Sequence, residues 1–415
     1  MTRRSGTADL PLHGGRVPAW LGQRMTRLGR VIVEAIAHEY GRDEVLRRLS
    51  HPFWFQAFGA VMGMDWHSSG ITTSVLGALK RGLAPLEHEL GLYVCGGRGR
   101  HSRQTPMELL RVGDVTGLDG AGLASTSRLV AKVDSAAIQD GFELYLHGFV
   151  VSSSGAWTVV QQGMDTNRRE ARRYHWLSEQ VQSFVDEPHA AIEGKPSARP
   201  IVNLVDHRAE VSRRTQVALV AEGPDRVVGS LAKLRAPAPA AAPVQQVLPH
   251  LSLPAHHDVR SSDVVLRRLH ASLAAAAERG PRDFQALLAV PGVGARTLEA
   301  LALVAEVVHG APFRFSDPAR FSLAHGGKDG HPFPVPLKVY DQTLRTLRRA
   351  VDLAKLGNDD KLAAIARLDA QARALEQIAT GPSFDDYVRS EREHSRALGG
   401  RSVFDRANDT DDRDS

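Results

Sequence analysis

Apolar positions recur every three to four residues through Trp20, Leu21, Met25, Leu28, Ile32 and Ile36, as on a helix that buries one face. Pro18 stands where a first helical turn tolerates it, and Gly41 ends the pattern. Residues 43–49 then predict a short second helix. The period changes over residues 141–151 (GFELYLHGFVV) and 156–162 (AWTVVQQ), which read as two strands, with the turn at 152–155 making them a hairpin. After residue 255 the helical period returns. It predicts helices over 264–278, 282–289, 295–309 and 338–356, and a further one over 361–379. Only residues 311–336 form an irregular stretch of any length. The expected class is α+β, with an antiparallel hairpin or sheet in a mixed N-terminal part and an all-helical C-terminal part.

One break divides the chain. Residues 235–254 read RAPAPAAAPVQQVLPHLSLP, and repeated prolines exclude both helix and central strand. This spacer predicts a mixed domain over 8–234, which would carry any catalysis, and a helical domain over 255–395. The end of the chain, 396–415, is polar and acidic and is expected to be a disordered tail.

Composition narrows the classes. A chain of 415 residues, 42% hydrophobic and 24% charged, is that of a folded globular protein and is long enough for two cores. No apolar run reaches the roughly 18 residues of a membrane span, and no secretory leader is evident, so a cytoplasmic, nucleoid-associated location is expected. Cys95 is the only cysteine, which excludes internal disulfides and thiolate metal cages. Net charge is only +5, but arginine clusters at 98–103, 168–173 and 345–349, and arginine suits bidentate phosphate contacts.

The most specific string is PRDFQALLAVPGVGARTLEALALVAEVVH, residues 281–309. Two amphipathic helices flank the turn Pro291, Gly292, Val293, Gly294. Glycine permits a tight reversal and the close approach of another backbone. The turn delivers the first amides of the second helix, from Val293 through Ala295 and Arg296 to Thr297, where the positive end of the helix dipole favours an anion such as a DNA phosphate. Val293 is expected to plug the two helices together. Such contacts supply affinity without reading sequence.

This segment resembles the hairpin of the endonuclease III type of helix-hairpin-helix DNA glycosylases. In those proteins a lysine two residues past the second glycine is the lyase nucleophile; Arg296 stands there in this chain. The resemblance also implies a catalytic aspartate some twenty residues past the hairpin, for which Asp317 is the nearest match. The cluster cysteines that follow in that family have no counterpart. Over most of its length, through His13-Gly-Gly-Arg16, Val160-Gln-Gln-Gly163 and His325-Gly-Gly-Lys-Asp329, the chain resembles a bacterial and archaeal family described as a domain of unknown function (number 763).

Two places concentrate polar chemistry. Asp134, Asp140 and Glu143 lie near the strand hairpin, where simple alternation puts Glu143, Tyr145 and His147 on one face opposite Gln161. Such a set could hold Mg2+ or Mn2+ through oxygen ligands and activate water against a phosphodiester. The second place is the loop from Asp317 to Asp329. There Asp317 could stabilise a sugar cation, and Lys328 could serve as an amine nucleophile or a phosphate contact. The expected activity is a metal-dependent endonuclease acting on damaged or structured DNA. A glycosylase using Asp317 and a non-catalytic DNA-binding adaptor are the alternatives.

Overall fold

The computed structural model describes residues 17–64, 69–235, 266–319, 337–354 and 357–378. Helices α1 (Ala19–Tyr40), α2 (Arg42–Ser50), α3 (Pro52–Val61), α4 (Gly70–Leu83) and the single turn α5 (Glu87–Leu90) lead into strand β1 (Leu92–Arg98). Next come α6 (Arg100–Thr116), α7 (Gly120–Lys132), β2 (Ile138–Gln139), β3 (Glu143–Ser152), β4 (Trp157–Asp165), β5 (Glu170–Leu177), β6 (Ala191–Glu193) and β7 (Ile201–Asn203). Among the described residues there follow α8 (Glu210–Ala221), α9 (Pro224–Arg235), α10 (Leu266–Arg279), α11 (Phe284–Ala289), α12 (Ala295–His309), β8 (Arg314–Phe315), α13 (Leu337–Leu353) and α14 (Asn358–Ile378). The class is α+β.

The centre is an antiparallel five-stranded sheet in the order β1-β3-β4-β5-β6. Because strand side chains alternate, each strand feeds two cores. Tyr93, Phe149, Trp157, Val159, Tyr174 and Trp176 enter one, together with α6, α7 and the helices α8 to α12. Leu92, Val94, Val150, Val160 and Leu177 enter the other, which is closed by α1 to α4 and by α13 and α14. The helices after the proline-rich linker are therefore shared between the two faces of one sheet. A smaller sheet, β2-β7-β8, stitches the segment beyond α12 onto strands from before the linker.

Three local features depart from simple pattern reading. The glycine-rich stretch around Cys95 belongs to β1, where Gly96 has φ +87 and any side chain would strike the His147 carbonyl. The strand β5, unrecognised in the pattern, carries Arg172 and Arg173 into the interior, because buried carboxylates await them on both faces. Finally, β3 has a bulge between Leu144 and Leu146, opposite Gly163 and Gln162. One extra residue reverses the alternation. Glu143, paired with Met164, thereby lies on the opposite face from His147, paired with Gln161.

Candidate functional site

The turn between α11 and α12 is built so that its amides face outward. Helix α11 starts at an Asp283 cap, whose carboxylate accepts from the Ala286 amide at 2.7 Å. Gly292 has φ +91, a value that an L-residue adopts only with strain. Val293 is fully buried between the helices, as its plug role requires. Gly294 is the N-cap of α12 in extended backbone, φ −137 and ψ −173, and makes no side-chain cap hydrogen bond of its own. The carbonyl side is tied back from α7 and β2: the Lys132 ammonium donates to the Val293 carbonyl, and the Gln139 amide donates to the Ala295 carbonyl at 2.9 Å. Burial lowers the Lys132 pKa from its ordinary value. Of the residues expected at this turn, Gly292 and Arg296 are exposed, Gly294 and Ala295 are half-buried, and the Thr297 side chain is in the core.

The three carboxylates expected to share a metal are apart in their bonding. Asp134 sits on a π-helical turn, Val133–Ala137, that continues α7. It is buried and accepts from the Gln161 amide at 2.5 Å, from the Trp176 indole at 3.0 Å and from His189 Nε2 at 2.5 Å. Asp140, also buried, accepts from Arg172 at 2.7 Å, from the Tyr174 hydroxyl at 2.7 Å and from the Phe142 amide at 3.0 Å. Glu143 is exposed and, through the bulge, on the other side of the sheet. Among the described residues no group of three or more His, Cys, Asp or Glu is placed to hold a metal ion. A divalent cation needing about six oxygens does not fit this donor set, because the buried oxygens already accept from protein donors.

Asp317 has a similar fate. Its two oxygens receive Arg172 at 3.1 and 2.8 Å, the Ser197 amide at 2.7 Å and the Ala319 amide at 2.9 Å. With Asp140 and the Lys195 carbonyl it encloses a guanidinium that also lies over the Phe142 ring, 4.5 Å from its centre. This buried cage fastens the segment after α12 to β5. Lys328, His325 and Asp329 lie outside the described residues.

The residues that do come together are His147 and Gln161, joined by Ser127, which pattern reading overlooked. His147 Nδ1 lies 2.7 Å from Gln161 Oε1, and His147 Nε2 lies 2.9 Å from Ser127 Oγ. Only the amide nitrogen of Gln161 can donate to Asp134, so its oxygen must accept from His147. The imidazole proton is therefore on Nδ1, and bare Nε2 accepts from the Ser127 hydroxyl. Burial pushes the His147 pKa below its ordinary value, which keeps the ring neutral. Ser127 and Asp134 are two helical turns apart along α7, a spacing that could have flagged them as neighbours on one face.

A family model described as "Protein of unknown function (DUF763)" matches residues 6–335. The chain belongs to this family. No curated protein and no solved structure matches it. The span shared with the DUF763 family includes the turn at 291–294, the Arg172 cage and the Ser127–His147 pair, whereas α13 and α14 lie beyond it. Among the described residues, no helix is long and apolar enough to cross a membrane.

Within that span the turn and the Ser127–His147 pair meet at a cavity of about 810 Å³. Ser127, His147 and Gln161 line one wall, and Ala286, Ala289 and Pro291 line the other. Among the described residues that line it, the cations are Arg103, Arg128 and Lys132, and the single carboxylate, Asp283, is occupied as a helix cap. Arg103 and Arg128 are exposed and form no ion pair among the described residues. The cavity is therefore suited to an anion.

Proposed function

We propose that this protein binds DNA through the phosphate backbone and processes it, with the α11–α12 turn as the docking point. One observation carries the reading. Gly294 has a backbone conformation open to any residue, and a Cβ there would meet no atom within 4 Å. Among the described residues nothing requires glycine at this position, yet the cap position of α12 carries no side chain that could cap it. A bare Gly294 does serve a partner that must approach the start of α12 closely, as a phosphate oxygen would. The likeness of this segment to the hairpin of endonuclease III-type glycosylases supports the same reading. Arg103 and Arg128 extend the positive surface toward the next phosphate, and contacts of this kind are indifferent to sequence.

The cavity beside the turn would receive the adjoining nucleotide against Ser127 and His147. A two-ion or one-ion nuclease centre on Asp134, Asp140 and Glu143 is not carried forward, because those residues do not converge. Nor does Asp317 suit a glycosylase, since its carboxylate is enclosed by four protein donors. The test is binding of the full chain to a labelled duplex, compared with Gly294→Asp. Loss of affinity in the variant supports the reading, and equal affinity refutes it.

A further inference from the structure

We propose that Ser127 is a nucleophile, activated by His147, that attacks a DNA phosphodiester held in the cavity between α7 and the α11–α12 turn. The proposal rests on the DNA-binding reading for its substrate and on the Ser127–His147 geometry for its chemistry. A serine hydroxyl is a weak nucleophile until a base stands ready for its proton. Here the base is 2.9 Å from Oγ, and its second nitrogen is held 2.7 Å from an oxygen that can only accept. The tautomer is thus the one that leaves a lone pair on Nε2. Gln161 is fixed in turn by Asp134, which two further donors, Trp176 and His189, hold in place. Gln161 and Asp134 are positioning residues; Ser127 and His147 touch the reacting atoms. An imidazolium formed during reaction would face Asp134 through one amide.

The charge of the cavity selects the electrophile. Arg103, Arg128 and Lys132 would neutralise the non-bridging oxygens of a phosphodiester, whose charge a carboxylic ester lacks. In the first step the Ser127 Oγ–P bond forms and a P–O bond to the sugar breaks. The hydroxyl proton passes to His147 Nε2 and then to the departing sugar oxygen. The products are a strand linked to Ser127 as a phosphodiester and a second strand with a free hydroxyl. Water, deprotonated by the same Nε2, then attacks phosphorus as the Oγ–P bond breaks. The Nε2 proton passes to Oγ, which restores the serine and neutral His147 and releases a strand ending in a phosphate monoester.

The experiment treats the full chain with a fluorophosphonate probe, which phosphonylates activated serines with loss of fluoride, and maps the site by peptide mass spectrometry. Ser127 should be modified in the native protein, and Ser127→Ala should lose that peptide's label. His147→Gln should slow labelling about 100-fold or more, the scale of a lost general base. Gln161→Leu should slow it as well, while Gln161→Glu, whose protonated acid can still donate to Asp134 and accept from His147, should retain it. Thermal melts on each variant separate slow labelling from unfolding. Labelling of Ser127 no faster than that of exposed Ser125 or Ser135 would overturn the nucleophile. In parallel, an end-labelled oligonucleotide in EDTA should give a denaturation-resistant protein adduct that Ser127→Ala lacks. Ser127 labelling without any DNA binding would overturn the phosphodiester assignment together with the hairpin reading. DNA binding without Ser127 labelling would overturn the relay and leave the hairpin reading intact.

Discussion

Gly294→Asp should make the protein more stable and worse at binding DNA. The chain contains its own template for the first effect. Asp283 caps α11 at φ −147 and ψ 175, and its carboxylate accepts from the amide three residues on. Gly294 occupies nearly the same conformation, φ −137 and ψ −173, ahead of the longer α12, with open space where the side chain would go. The introduced carboxylate should therefore accept from the Thr297 amide. Exchanging glycine for a good cap gains a few tenths of a kcal/mol, and a negative charge at a helix start adds about 0.3–1 kcal/mol. Together these predict roughly 0.5–1 kcal/mol of stability, or about 1–2 °C in melting temperature for a chain of this size. The same carboxylate occupies the amides a phosphate would use and repels it. Loss of charge-assisted hydrogen bonds worth about 1.5–3 kcal/mol should weaken DNA binding roughly 10- to 100-fold. The slope of log affinity against log salt should shrink by about 0.9, the loss of one phosphate contact. Fluorescence anisotropy of a labelled duplex at several salt concentrations, beside thermal melts, measures both effects. A variant that melts higher and binds DNA as tightly as the parent would refute the docking argument.

Arg172→Met should cost about 3–5 kcal/mol in a denaturant melt, because it leaves the buried carboxylates of Asp140 and Asp317 without their cation; a loss below 1 kcal/mol would mean the cage is not what fastens β5 to the segment after α12. Glu143→Gln should change stability by less than about 0.5 kcal/mol and leave DNA processing unaltered, since Glu143 is exposed and faces away from His147; a steep loss of processing would restore it to the site. His147 and His175 are buried, burial being the chief cause of pKa values below the ordinary 6.5 in both, and of a larger depression in His175. The unfolded chain thus binds protons more readily at these positions, so their contribution to stability is intact above pH 6.5 and declines as pH falls below it toward the folded pKa values. Melts between pH 7.5 and 5 should show that decline, and a flat profile would contradict it.

Periodic patterning found α1, α2 and the helices after the linker, α12 to the residue, and missed the seven helices α3 to α9. Helix α12 was legible from its bounding Gly294 and Gly310 and its unbroken run of helix formers rather than from one periodic face, since it is buried on nearly every side from Thr297 to Ala305. The strand hairpin was equally visible, since Phe149, Val151, Trp157 and Val159 enter a core at alternate positions. Side-chain direction near the hairpin's open end was not. A bulge is a backbone event with no residue type of its own, and one extra residue at Leu144–Leu146 carries Glu143 away from His147. The arginines at 172 and 173 look like surface charge in a linear reading. Their burial depends on Asp140 and Asp317 on one face and on Glu193, Gln56 and Thr72 on the other, partners as far as 145 residues away. Ser127 lies within a run of small helix residues, and only the fold brings β3 to it.

Binding of the full chain to two duplexes of unrelated sequence, measured from low to physiological salt, tests the central claim most directly. The account predicts equal affinities for the two duplexes and a linear fall of log affinity with log salt, steeper for the parent than for Gly294→Asp. No binding at low salt, or binding that ignores both salt and the Gly294→Asp substitution, would contradict it.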